Sequence, residues 1–307
     1  MKLCLRCNQY FEDQEELCPN DKTKLEPVGK DPLIGALINN RYVVESVIGK
    51  GSSGIVYKAT RLMMGGDIAV KVIHSYLGAD GNSLERLLRE LKAAEKLRHP
   101  HIITVWESGI TDDGQPYLVM DYLEGITLSA LLKQKGALTV KRVLSITKQV
   151  VDALTHAHDQ GLIHRDMKPS NCFIVKRSGE EFVKLLDFGI SKIVEAGKKN
   201  LTQTNSALGT PLYMAPEQAS SPKDVDSRCD LYAVGTILYE MLTGATPFVS
   251  ETGELAEILY KIFTADIPDL RERRPDAPAE LAAVVQKALS RAPADRYPDA
   301  LSFAEAF

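Results

Sequence analysis

H-R-D-M-K-P-S-N, His164 to Asn171, lies between an apolar pair, Leu162 and Ile163, and a β-like run from Cys172 to Val175. It sets an acid, a lysine and an amide at fixed spacing. The Asp166 carboxylate can accept a proton from a hydroxyl, Lys168 can neutralise charge on a moving phosphoryl group, and the Asn171 amide oxygen can hold a divalent cation. Small-molecule phosphotransferases use a similar loop, and a solvated polar turn would look the same. Its companions elsewhere in the chain decide between these readings.

Downstream, K-L-L-D-F-G (Lys184 to Gly189) reads as a strand ending in a carboxylate and a glycine, with Asp187 placed 21 residues after Asp166. A carboxylate there is a natural ligand for phosphate-bound Mg2+. Upstream, the β-branched run Tyr42 to Ile48 ends at G-K-G-S-S-G (Gly49 to Gly54), after which Ile55, Val56 and Tyr57 resume a strand. Glycines in that setting let backbone amides close over phosphates, and the missing helix disfavours a dinucleotide fingerprint. The run Asp67 to Ile73 alternates so that Lys71 shares a face with Ala69 and Ile73. Leu84, Leu87, Leu88, Leu91, Ala94 and Leu97 recur at helical spacing, and Glu90 shares their inward face. Two misplaced charges of opposite sign are explained together if they pair beside a phosphate chain.

G-T-P-L-Y-M-A-P-E (Gly209 to Glu217) completes the set. From about residue 41 to 307 the chain resembles the eukaryotic-type, bacterial-like serine/threonine protein kinase family. The resemblance implies ATP and Mg2+ as cofactors and transfer of the γ-phosphoryl group to Ser or Thr hydroxyls of protein substrates. It implies an α+β, two-lobed protein kinase fold: a small lobe over residues 41–121, with a five-stranded antiparallel sheet and one helix, then a larger, mainly helical lobe over 122–307. Catalytic roles fall to Asp166, Lys168, Lys71, Glu90 and Thr210, and Mg2+ falls to Asn171 and Asp187. The nucleotide falls to Ile48, Gly49, Lys50, Gly51, Ser52, Ser53, Gly54, Ile55, Val56, Ala69, Lys71, Met120, Tyr122, Leu123 and Phe173, with a hinge from Met120 to Gly125. Lys168 with Thr210 resembles serine/threonine rather than tyrosine specificity. Asp230 matches the buried acid that anchors the loop, and Arg296 matches the partner of Glu217.

Residues 1–28 carry C-x-x-C at Cys4 and Cys7, then C-P-N-D from Cys18 to Asp21. Two thiolates can clamp one face of a tetrahedral ion, and Cys18 with Asp21 can close the other. The pattern looks like a zinc ribbon in which Asp21 stands where a fourth cysteine is expected; the alternative is a metal-free knuckle. So short a segment cannot fold on burial alone, and it is a candidate surface for a protein partner. Gly29, Asp31, Pro32 and Gly35 make residues 29–40 read as a linker.

A formal charge of −4 and a pI near 5.9 argue against a nucleic-acid backbone or an anionic membrane as main partner. The apolar run Leu231 to Leu242 carries Glu240 and is too short for a membrane span. The polar opening predicts no secretory leader. Five cysteines, three of them near the N-terminus, suit a reducing compartment, so the expected location is the cytoplasm. Ile190 to Leu208 is polar and contains Thr202, Thr204 and Ser206; a phosphate there, on either threonine above all, would find a cation in Arg165. Two rival readings stay open. A non-catalytic scaffold would lack Lys71, Asp166 or Asp187, all of which are present, and a metal-dependent interaction module would act through residues 1–28.

Overall fold

The alternation that starts at Tyr42 buries Tyr42 and Val44 and leaves Glu45 exposed, as a strand with one covered face requires. The computed structural model describes residues 2–3, 10–11, 15–18, 23–27, 31–51, 54–73, 81–177, 179–188, 211–220, 225–252 and 254–307. Two units result: Met1–Glu95 with Val105–Leu123, and Lys96–Thr104 with Glu124–Phe307.

In the first unit, β1 (Lys2–Leu3), β2 (Tyr10–Phe11) and β3 (Glu26–Pro27) form a small antiparallel sheet in the order β2-β1-β3. A second antiparallel sheet contains β4 (Leu37–Ile38), β5 (Tyr42–Gly51), β6 (Gly54–Arg61), β7 (Asp67–Ile73), β8 (Val105–Ile110) and β9 (Pro116–Asp121), in the order β4-β5-β6-β7-β9-β8. The helix α1 (Gly81–Lys96) accompanies it and buries Leu87, Leu91 and Ala94.

The sheet has six strands rather than five, because part of the expected linker is strand. Asn39 and Asn40, at φ 49° and 52°, turn the chain so that Ile38 pairs with Tyr42 and is buried; asparagine tolerates this left-handed region better than most residues. Asp31 accepts a bond from the Tyr57 hydroxyl at 3.1 Å. Glu107 on β8 accepts bonds from Asn39 (2.8 Å), Tyr42 (2.9 Å) and Tyr117 (3.0 Å) and pairs with Arg41. The last strand in the order therefore reaches back to the first two, and the sheet is curled. Burial alone would raise the Glu107 carboxyl, but these donors hold it below the usual carboxylate range.

The second unit carries β10 (Gly125–Thr127), α2 (Leu128–Lys135), α3 (Val140–Asp159), β11 (Cys172–Arg177) and β12 (Glu180–Leu185), then α4 (Pro216–Ser220), α5 (Arg228–Thr243), α6 (Leu255–Thr264), α7 (Leu270–Arg273), α8 (Ala279–Ala288) and α9 (Ala300–Ala304). β10, β11 and β12 form a sheet in that order. Thr127 starts α2 by accepting the Ala130 amide at 3.1 Å. Helix α5 is buried on every side, from Cys229 to Tyr239 without a break, so it is the core rather than a cover. Residues 96–104 belong to this unit although they connect α1 to β8. The reason is a parallel bridge between Ile102 and Leu185, closed by Ile103 N–H to the Leu185 carbonyl at 2.9 Å and Leu185 N–H to the His101 carbonyl at 2.8 Å. Apart from this segment, the chain passes from one unit to the other between Leu123 and Glu124. Among the described residues, no helix is long and apolar enough to cross a membrane.

Candidate functional site

The loop from His164 to Asn171 leaves α3 and ends in a short turn, Pro169–Asn171, that leads into β11. Its shape is set from beneath by Asp230, near the N-terminus of α5. The Asp230 carboxylate accepts the His164 and Arg165 amides, each at 2.8 Å, and faces His158 Nε2 at 2.8 Å. Burial pushes this carboxyl up; the bonds from His158 and the His164 amide overturn that and hold it below the usual range. Arg165 takes φ +64°, a costly conformation for a side-chain-bearing residue, and Gln218 of α4 donates to its carbonyl at 2.8 Å. His164 is buried, with Nε2 against the Leu186 carbonyl at 2.7 Å and its ring 4.6 Å from that of Phe188.

Held this way, Asp166, Lys168 and Asn171 form one cluster. Lys168 Nζ lies 3.0 and 2.8 Å from the two Asp166 oxygens. The Asn171 amide nitrogen donates to the Asp166 carbonyl at 2.7 Å, so its oxygen is turned away from that bond and available to a cation. Leu186 N–H donates to the Asn171 carbonyl at 2.9 Å, tying β12's end to the same turn one residue before Asp187. Asp187 itself takes φ +62°, a strained setting of the kind that clusters at functional positions. Phe173 is half-buried on β11, opposite Thr127 and Lys184. Burial pushes the neighbouring Cys172 thiol up to about 12, so it packs as an inert hydrophobe.

The first unit carries the remaining described candidates. Lys50 of β5 pairs with Ile55 of β6, and Gly51 with Gly54. A Cβ at Gly54 would lie 2.2 Å from the Val72 carbonyl oxygen, which makes glycine obligatory there. Ile48 is exposed, and Gly49, Ile55 and Val56 are half-buried. On β7, Lys71 is 2% exposed, and Ala69 pairs with the buried Met120 of β9. Glu90 is half-buried on α1. Tyr122 and Leu123 are half-buried beyond β9, with Lys58 Nζ 5.3 Å from the Tyr122 ring centre.

Ser52, Ser53 and Thr210 lie outside the described residues, as do Thr202, Thr204, Ser206 and, in the first segment, Cys4, Cys7 and Asp21. Cys18 is described and buried. Among the described residues, no group of three or more His, Cys, Asp or Glu side chains could hold a metal ion. Sequence reasoning passed over His158 and Gln218. A buried acid at Asp230 needs a donor, which is the signal that could have found His158.

Comparison with known proteins gives concordant results. The family model described as Protein kinase domain matches residues 42–305. Serine/threonine-protein kinase pkn3 of Myxococcus xanthus is 40% identical over 279 residues, covering 89% of this chain and 50% of its own. The chain thus spans about half the length of such curated relatives. The crystal structure of the Mycobacterium tuberculosis PknI kinase domain aligns with a TM-score of 0.68 at 32% identity, covering 89% of this chain and 97% of that one. The structure of Rad53 1-466 in complex with AMP-PNP aligns with a TM-score of 0.70 at 26% identity, over 86% and 64% of the two chains.

Proposed function

Because this chain belongs to the protein kinase domain family, of the bacterial serine/threonine type, we propose that it transfers the γ-phosphoryl group of ATP to Ser or Thr hydroxyls of protein substrates. The observation that carries this reading is the Asp166–Lys168–Asn171 cluster on its Asp230 anchor. Asp166 orients the acceptor hydroxyl and takes its proton as the oxygen attacks phosphorus; the bond to the bridging oxygen breaks and ADP departs with the electron pair. Lys168, already against Asp166, offsets charge on the transferring group. In the first unit Lys71 grips the α and β phosphates with Glu90 as its partner, the Gly49–Gly54 turn offers backbone amides, and Ala69 and Met120 meet the adenine. Tyr122, Leu123 and Phe173 complete the nucleotide contacts, and Thr210 those of the catalytic loop.

Mg2+ prefers hard oxygen donors in small number. The Asn171 amide oxygen, left available by the bond its nitrogen makes, and the Asp187 carboxylate suit it. When bound there, the ion neutralises phosphate charge. Incubation of the purified chain with labelled ATP, Mg2+ and a protein acceptor should place label on serine and threonine; label on tyrosine alone, or none, rejects the reading.

Regulation belongs to the same proposal. Among the described residues the Arg165 guanidinium makes no hydrogen bond or ion pair, although its backbone is held at both ends. It is the cation for a phosphate on Thr202 or Thr204, with Ser206 a lesser candidate. Phosphopeptide mapping of the same reaction should find one of the threonines modified; full activity with both bare removes this part.

For residues 1–28 we propose a zinc-ribbon-like module, with residues 29–40 as its connector to a kinase domain over residues 41–307, small lobe 41–121 and larger lobe 122–307. Support comes from the C-x-x-C spacing and from Cys18, which is buried, donates its amide to the Thr23 carbonyl at 2.8 Å and lies beside the pairing of Leu17 with Lys24. Cys4, Cys7, Cys18 and Asp21 would hold Zn2+, and the module would offer a surface to a protein partner in the cytoplasm. Purified protein should carry about one zinc per chain, lost when Cys4 and Cys7 become serine. A parent chain that carries no zinc would leave a metal-free knuckle, and zinc retained in the serine variant would place the ion away from Cys4 and Cys7.

A further inference from the structure

Half of the six histidines in this chain stand ring to ring at one place. His99 lies 5.0 Å from the His156 ring, stacked on it, and 5.7 Å from that of His101. All three belong to the second unit, where residues 96–104 pass between α3 and β12. The hydrogen bonds fix which ring atoms carry protons. His99 Nδ1 accepts the backbone N–H of His101 at 3.2 Å. A backbone amide is a donor only, so Nδ1 must present its lone pair, and the ring proton sits on Nε2, which faces Asp152 at 3.3 Å.

The charged and titratable groups facing this ring are Asp152 and His156 of α3, His101 of its own segment and Lys184 of β12. Only Asp152 favours a charged ring. Burial above all, with His156, His101 and Lys184 acting the same way, holds His99 below the ordinary imidazole value against the pull of Asp152. The same segment is stitched to β12 by His101 Nδ1 with the Val183 carbonyl (3.0 Å), Leu185 N–H with the His101 carbonyl (2.8 Å), Ile103 N–H with the Leu185 carbonyl (2.9 Å) and Lys184 Nζ with the Ile102 carbonyl (3.0 Å).

We infer that His99 is a proton-sensitive pin for residues 98–103: a proton arriving at Nδ1 turns the acceptor of the His101 amide into a second donor, and the segment is released from its seat on β12. The neutral ring is the form that the closed segment holds. Its folded pKa lies below its value in the open segment, so its contribution is complete above about pH 6.5 and is lost as the pH falls below that.

Amide exchange in the full chain at about pH 7.5 and about pH 5.5, corrected for intrinsic chemistry, tests it. One pH unit below the open-state value, opening at the His101, Ile103 and Leu185 amides should rise about tenfold. His99→Asn should exchange alike at both pH values, because the Asn side-chain oxygen accepts an amide two residues on and does not titrate. In the wild-type chain, nitrogen NMR of the imidazole should find Nδ1 bare at about pH 7.5. An equal acid response in both proteins, or a protonated Nδ1 at neutral pH, overturns the proposal. Should His99→Asn fold poorly, the wild-type imidazole measurement decides alone.

Discussion

Asp166→Asn is expected to lower kcat for phosphoryl transfer by about 10²–10⁴-fold, with KM for ATP little changed and thermal unfolding where the parent has it. The amide keeps the side chain's size but cannot take a proton from the acceptor hydroxyl, and it removes the anion that holds Lys168 at 2.8 Å. The neighbours that keep the loop in place do not depend on the lost charge. Asn171 donates mainly to the Asp166 carbonyl, at 2.7 Å, and the Arg165 amide is held by Asp230, not by Asp166. Loss of turnover without loss of fold therefore isolates chemistry from structure. Single-turnover label transfer is the measurement. A variant that retains parental kcat would mean that another base, or none, serves the reaction; a parent with no transfer at all would favour the scaffold reading over catalysis.

The candidate positions were legible because physical misfits mark them. A lysine on an apolar strand face is such a misfit, and Lys71 is indeed buried on β7. An aspartate opening a run of buried side chains is another, and Asp230 is 1% exposed beneath the loop. The helical spacing of leucines from Leu84 to Leu97 gave α1, and α5 followed from a run apolar on every face.

What stayed hidden has equally physical causes. β4 is two residues long, too short for any period to appear, and it exists because two asparagines adopt positive φ. The insertion of residues 96–104 into the second unit rests on pairing between Ile102 and Leu185, far apart in sequence and individually ordinary. Gln218 and His158 are polar residues on helices, where solvent contact is the default; only the fold brings them to the Arg165 carbonyl and the Asp230 carboxylate. The left-handed backbone of Arg165 leaves no trace in residue type, and that of Asp187 only a faint one, aspartate being among the residues that visit this region more readily.

The largest loss of stability is expected from Arg296→Met, about 3–5 kcal/mol by isothermal denaturant unfolding with an unchanged slope. The Arg296 guanidinium is fully buried, and its N–H groups all have acceptors: Glu217 at 2.6 and 2.8 Å, and the carbonyls of Ser290 (2.7 Å), Arg228 (3.1 Å) and Arg291 (2.9 Å). Methionine fills similar volume but leaves a carboxylate and three carbonyls without their donor, which is the costly half of a buried pair. Arg296→Lys should lose less, since the charge stays while the two-pronged grip does not. Changing Glu217 and Arg296 together to apolar residues should recover part of the loss, because no buried charge is then left alone. Glu217 lies on α4 next to Gln218, which holds the Arg165 carbonyl at 2.8 Å. Loosening α4 should therefore lower turnover at temperatures well below unfolding. An Arg296→Met chain within about 1 kcal/mol of the parent would show that solvent reaches these carbonyls and that the guanidinium is not the clamp its five bonds suggest.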